Sequence, residues 1–296
     1  LEHLHKVTIT KKIGEEPVME IQEFPFDSSV KKIPIELKSK LGSEQSAPGK
    51  SYLPDHVIGY SSGENEILSL PFIKSRLIHL DEFKQQTEKG EKEFTGSENS
   101  LIYINNSMSQ AVLLSCLLME NEKTLAPIRD VNNTGIIGLK SFRMNINLLH
   151  FKFQQDSSDN ILKILEQKEI EKLKKCATSW YSNDKTLWLD FYITDETKEA
   201  FKFHFNHDSF ELFQFFRLLY ELNSHFISEN IKEDAYQSKG FYTDGKLPSG
   251  SPNQNVFYFL DFYITKEIKE TGVIKDLLLR NFSDGEHQFL HTVGIC

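Results

Sequence analysis

The chain has 296 residues, 39% of them hydrophobic, 26% charged and 23 of them Phe, so it can bury a sizeable core and reads as a globular protein. A formal net charge of -9 argues against bulk nucleic-acid binding and leaves open only a local basic face. No apolar run approaches the roughly 18 residues of a membrane span, and no signal peptide opens the chain. Cys116, Cys176 and Cys296 have no metal-ligand spacing and cannot all pair, which suits a reducing, intracellular compartment.

In chain order, residues 7–13 and 18–24 alternate around Gly14-Glu15-Glu16-Pro17 and predict a hairpin. Residues 39–51, rich in Ser, Gly and Lys, predict a loop. A second hairpin is expected from 57–60 and 67–70 across Ser61-Ser62-Gly63-Glu64-Asn65, followed by a polar loop over 83–100. A strand near 101–104 and a helix over 108–120 come next. The turn-rich stretch 127–138 is the expected domain boundary, dividing a β-rich domain, 1–127, from an α+β repeat domain, 128–296. Beyond it the pattern predicts a strand over 143–153, a helix over 160–176, a hairpin turn at 180–185, a strand over 200–206 and a helix over 210–225.

One phrase occurs almost twice in that second half. Residues 189–199 read LDFYITDETKE and residues 260–270 read LDFYITKEIKE, identical at nine of eleven positions. The alternation of aromatic and β-branched residues predicts a strand in each copy. Residues 150–157 and 202–209 also match in pattern, each predicted as a short strand ending in Asp-Ser, whose side chains can cap a following helix. The sum is a tandem strand, helix, hairpin, strand unit of about 50 residues. Asp190 and Asp261 recur in the two copies, and that recurrence favours a role in the fold, such as capping a turn, over acid–base chemistry.

Two helices are too apolar for a single sheet. In 210–225 the polar positions reduce to a narrow stripe, and 108–119 is apolar nearly all round. Phe213, Phe216 and Tyr220 should meet the adjoining sheet, while Phe215, Leu218 and Leu222 lie on another side. Either the chain's own domains cover that second set, or a partner protein does, which makes Phe215, Leu218 and Leu222 the candidate interaction residues. By contrast 160–176 has an ordinary apolar stripe and a lysine-rich outer face.

Chemistry-bearing clusters are few. His204-x-x-His207-Asp208 is the best of them, but His204 points off the Phe203/Phe205 face of the predicted strand and Asp208 already caps a helix. His287-x-x-x-His291 has helical spacing but lacks the Glu of a zinc-protease motif. No phosphate-cradling Gly loop and no nucleophile motif is present, so no cofactor, metal or small-molecule ligand is expected.

The hairpin meander closed by a helix over 180–226 resembles the end of a pleckstrin-homology-type domain, and the repeated strand, helix and hairpin units are similar to the half-domains of sliding clamps. The clamp resemblance implies helices with a basic inner face toward DNA, which two of the three helices lack. The expectation is therefore an α+β protein of antiparallel sheets backed by amphipathic helices. Its expected role is a non-catalytic protein–protein interaction module, or a subunit or fragment of a larger assembly. The alternatives are a nucleic-acid-associated clamp-like scaffold, and an enzyme whose site is assembled from dispersed residues around His204 and His207.

Overall fold

The computed structural model describes residues 4–36, 48–60, 66–88, 101–104, 108–120, 122–148, 170–224, 227–238 and 255–295. The chain is α+β, with helices and antiparallel sheets, and it divides into two compact units, Leu1–Val57 and Ile58–Cys296. The turn-rich stretch 127–138 lies inside the second unit.

In the first unit, β1 (His5–Thr10), β2 (Val18–Glu23) and β3 (Ile33–Ile35) form an antiparallel sheet in that order. The predicted first hairpin is present, and Gly14 supplies a φ of +79° in its turn, a conformation that costs other residues more. Met19 and Ile21 are the buried apolar residues of β2. Of the loop predicted over 39–51, residues 48–51 belong to a short 3₁₀ helix, Pro48–Tyr52, and the rest lies outside the described residues.

The boundary between the units falls at the start of β4 (Val57–Tyr60), which pairs not with 67–70 but with β5 (Leu101–Ile104). Residues 67–70 belong to α1 (Glu66–Glu88), which also takes up the first part of the predicted polar loop. A short apolar run does not distinguish strand from helix. The continuation decides it: Ile73, Leu77 and Leu80 recur at helical spacing, with Leu77 buried beside Ile227 and Ala235. Ala235 lies on α7 (Glu229–Gln237), a helix that the sequence periodicity does not reveal.

The main sheet has five strands in the order β10 (Val273–Leu278), β9 (Phe257–Ile268), β6 (Ile136–Asn147), β8 (Thr186–Tyr192) and β7 (Ser179–Ser182), antiparallel throughout. The two copies of the repeated phrase lie in β8 and β9, on either side of β6, so Ser141 meets Tyr192 on one flank and Tyr263 on the other. On the inner face Phe142 stacks on Phe191 with ring centroids 4.4 Å apart, and Phe262, Phe259 and Phe201 surround the pair. Strand β6 begins at Ile136, seven residues before the predicted start.

Helix α2 (Ser109–Met119) is buried from Ala111 to Leu118 without a break, and it contacts α3 (Glu122–Arg129), α5 (Asp195–His204), α6 (Ser209–Leu222), α8 (Asp284–Ile295) and β6. A helix apolar on every side needs such company. Helix α6 is likewise two-sided: Phe216 packs on Phe259 and Tyr220 on Phe257 of the sheet, while α2 lies along it elsewhere. Asp208 caps α6 as its sequence predicts, accepting from the amides of Phe210 and Glu211. Of the lysine-rich helix, α4 (Glu171–Cys176) is described.

The strand predicted over 200–206 is instead the end of α5 and the turn after it. Thr194 caps this helix by accepting from the amide of Thr197, and Asp195 and Glu196 supply negative charge in its first turn. Phe201 and Phe205, four apart, are both fully buried, whereas Phe203 is 74% exposed. The Phe-x-Phe alternation of 201–205 therefore serves a helical face and the turn after it. The matching phrase 150–157 lies outside the described residues.

Candidate protein interface

Strand alternation sends Leu187, Leu189 and Phe191 of β8 inward and Trp188, Asp190 and Tyr192 outward. On β6, Phe142, Met144 and Ile146 go inward and Ser141 and Arg143 outward, while Asn145 is buried. Strand β9 changes parity partway. Ser141 to Arg143 spans two steps opposite three, from Tyr263 back to Leu260, which is a bulge. Phe257 and Phe259 point inward before it, and Phe262 and Ile264 after it, so Leu260 and Asp261 both come to the outer side.

The bulge aims the second recurrent aspartate at the same target as the first. Arg143 on the central strand donates from Nε to Asp190 Oδ1 at 2.5 Å, and its Nη1 lies 3.8 Å from Asp261 Oδ2. The two aspartates are thus mid-strand partners of one cation, not turn caps. Asp190, with Asp261 behind it, holds the Arg143 guanidinium above its ordinary pKa. Trp188 lies 5.9 Å from the same guanidinium in cation–π geometry.

Three residues back along β6, Lys140 repeats the arrangement. Its ammonium sits 5.0 Å from the Tyr192 ring and 3.7 Å from Asp276 Oδ2, and these two neighbours raise its pKa. Tyr192 is 49% exposed and Tyr181, paired opposite Trp188, is 61% exposed. The result is a sheet face of two cations, each bracketed left and right, set among exposed Tyr rings and the half-buried Trp188.

Energetics suggest what this face is for. Asp261 has φ +46°, which costs a non-glycine residue about 1 kcal/mol or more. A solvent-exposed ion pair returns only about 0–1 kcal/mol. The pair alone does not offset the bulge, and the cation–π contact between Arg143 and Trp188 adds only about 0.5–1 kcal/mol.

The residues singled out in the sequence lie elsewhere. Phe215, Leu218 and Leu222 are all buried in the core of the second unit, with Phe205 5.4 Å from Phe215. His204 sits on α5, its pKa lowered by partial burial and by Lys175 and Lys172, and His207 is exposed in the following turn with φ +55°. His291 of α8 is 1% exposed with both ring nitrogens unpaired, 5.2 Å from the Tyr60 ring, and burial pushes it down to about 4. Among the described residues no group of His, Cys, Asp and Glu is arranged to hold a metal ion. Cys116 and Cys176 are free and buried, and burial pushes their thiols up to about 11 and about 12, away from nucleophilic chemistry. No helix among the described residues is long and apolar enough to cross a membrane.

Sequence reasoning missed Arg143 because its two partners lie 47 and 118 residues away. The signal that pointed there was the recurrence of Asp190 as Asp261. Compared with family models, curated proteins and solved structures, the chain matches none.

Proposed function

We propose that the chain is a non-catalytic protein–protein interaction module within a larger assembly, and that its contact surface is the outer sheet face around Arg143. The observation behind this reading is the cluster of exposed Tyr192 and Tyr181 with half-buried Trp188 and Arg143 on one face of the central sheet. Trp, Tyr and Arg are the residue types that dominate protein–protein binding energy, because each supplies a large contact area or a directed fork of donors at low entropic cost. The outer face takes the place of Phe215, Leu218 and Leu222, which are reachable by a partner only if α6 moves.

The common placement of the two phrases beside β6 supports a duplicated strand as the origin of the surface. Each copy contributes one aspartate to Arg143.

The test is a double substitution, Tyr181→Ser with Tyr192→Ser, read against a partner recovered from the native cell and then produced pure. Melting should stay within about 0.5 kcal/mol of the wild type, since both rings are exposed. Affinity for the partner should fall by about 2 kcal/mol or more. Unchanged affinity would remove this face from the interface.

A further inference from the structure

The three-stranded sheet of the first unit has two faces of opposite character. Its register puts Val7, Ile21 and Ile33 in one row and Ile9, Met19 and Ile35 in the next, and side-chain alternation sets both rows on the same face. The middle of that face is covered, with Met19 and Ile21 buried. Its flanks are not: Ile9 on β1 is 50% exposed and Ile33 on β3 is 54% exposed. The opposite face carries Lys6, Thr8, Glu20 and Gln22. Both flanking strands are edges, since β2 lies between them. Strand β3 is a poor template for further pairing, being three residues long with Pro34 at its centre. Strand β1 has six residues, no proline and an unbroken register with β2.

The phase of the β1–β2 ladder is fixed at its end, where the amide of Phe24 donates to the Leu4 carbonyl at 3.2 Å. Antiparallel ladders alternate, so Lys6, Thr8 and Thr10 bond to β2, while His5, Val7 and Ile9 turn their amides and carbonyls to the outer edge. No strand among the described residues takes them up. This edge is also basic. The Lys, Arg, Asp and Glu residues from His5 to Lys12 are all lysines, at 6, 11 and 12. Lys11 and Lys12 are held by Glu15, the one at its backbone carbonyl and the other at its carboxylate. Glu20, on the same face as Lys6, is matched with Lys32 at 3.8 Å. Lys6 is left exposed, with no ion pair among the described residues.

We propose that the outer edge of β1 is a second docking site, which takes an extended segment of a partner protein whose residues alternate between apolar and acidic. The segment pairs its backbone with His5, Val7 and Ile9, as a peptide does when it adds a strand to an open sheet edge. Its residues opposite Val7 and Ile9 share their face and lengthen the two apolar rows, covering the exposed Ile9. The residues between them come out beside Lys6 and supply a carboxylate to it. Charge argues against a second copy of this chain, which would set Lys6, Lys11 and Lys12 against a strand bearing the same three cations. This edge belongs to a different sheet from the Arg143 face, and neither reading stands or falls with the other.

The experiment titrates the intact chain into a fluorescein-labelled synthetic peptide that alternates valine with glutamate, followed by fluorescence anisotropy. The same peptide with lysine in place of glutamate is the control. Binding of the acidic peptide should saturate with a Kd of about 100 µM or tighter, and the lysine peptide should bind at least about tenfold more weakly. Lys6→Glu, at an exposed position, should remove that preference. Val7→Pro should abolish binding of the acidic peptide while the β1–β2 ladder stays whole, because the amide it removes faces outward. Absence of saturable binding of the acidic peptide to the wild type would overturn the proposal, whether or not Val7→Pro folds. So would equal discrimination between the two peptides by wild type and Lys6→Glu. Dimerisation of the free chain in sedimentation equilibrium that Val7→Pro abolishes would overturn it as well, since a second copy would then hold the edge.

Discussion

Residues 189–199 and 260–270 start alike and end differently, and the point of divergence can be named. In both, the aromatic at the third position is buried, Phe191 at 1% and Phe262 at 3%, and the following tyrosine meets Ser141. Then Thr194 caps a helix, while the equivalent Thr265 donates to Asp276 of β10 at 2.7 Å and the chain stays extended to Ile268. Two substitutions separate the copies here. Asp195 and Thr197 provide the acidic first turn and the capped amide, while Lys266 and Ile268 replace them with a cation and a β-branched residue that suits a strand. The neighbours reinforce each choice. Lys198 and Lys202 of α5 both reach Glu120 at the end of α2, while Lys266 reaches Glu286 of α8. Nine shared residues thus set the strand, and two unshared ones with their tertiary partners set the path of the chain beyond it.

The strongest test of the shared part is removal of its buried rings. Phe191→Ala and Phe262→Ala should each cost about 3–5 kcal/mol in chemical denaturation. A loss under about 1 kcal/mol at either site would break the equivalence.

The next effect concerns α8, the helix that ties down the second copy. Its His291 has a folded pKa of about 4, set mainly by burial and then by His287, against an ordinary value of 6.5. Between those values the unfolded chain binds the extra proton and the folded chain does not, so stability falls as the pH drops through this window, by up to about 3 kcal/mol. Glu120 and Glu286, held below the ordinary carboxylate range, lose their contribution only at lower pH. Urea midpoints at pH 7 and pH 5 should therefore differ in the wild type and converge in His291→Phe. Equal midpoints in the wild type would contradict this.

A smaller effect sharpens the divergence itself. Thr194→Ala should cost about 1 kcal/mol through the lost cap, and Thr265→Ala about 0.5 kcal/mol or less, since no helix depends on it. Equal costs would mean that the cap does not decide the path.

Smallest of all is the charge bracket. A double-mutant cycle between Arg143 and Asp190 should give a coupling of about 0.5 kcal/mol, and one with Asp261 less, in line with 2.5 Å against 3.8 Å. A larger coupling to Asp261 would mean that the bulge serves the free chain's stability.

Local chemistry was readable from the sequence wherever one element decided it. The β1–β2 hairpin, the Asp208 cap, the over-apolar α2 and the strand in each phrase all follow from residues a few positions apart. The features that could not be read depend on partners distant in the chain. The stretch 67–70 is helical because Ile73 and Leu77 continue its face toward Ile227 and Ala235. The stretch 201–205 is not a strand because Phe201 and Phe205 both turn to the core. A β-bulge leaves no periodic trace, so the outward turn of Leu260 and the meeting of Asp261 with Arg143 were out of reach. The burial of Phe215, Leu218 and Leu222 is a related case: the apolar excess was visible, but that the chain's own core takes it up was not.

The most direct test of the proposed surface is site-specific photo-crosslinking in the native cell. A benzoylphenylalanine side chain in place of Tyr192 reports the outer sheet face, and one in place of Phe203, the exposed ring on α5, reports a different side of the same unit. The account predicts one discrete, stoichiometric cross-linked protein from position 192 and none from position 203. A cross-link from position 203 with none from position 192 would contradict it.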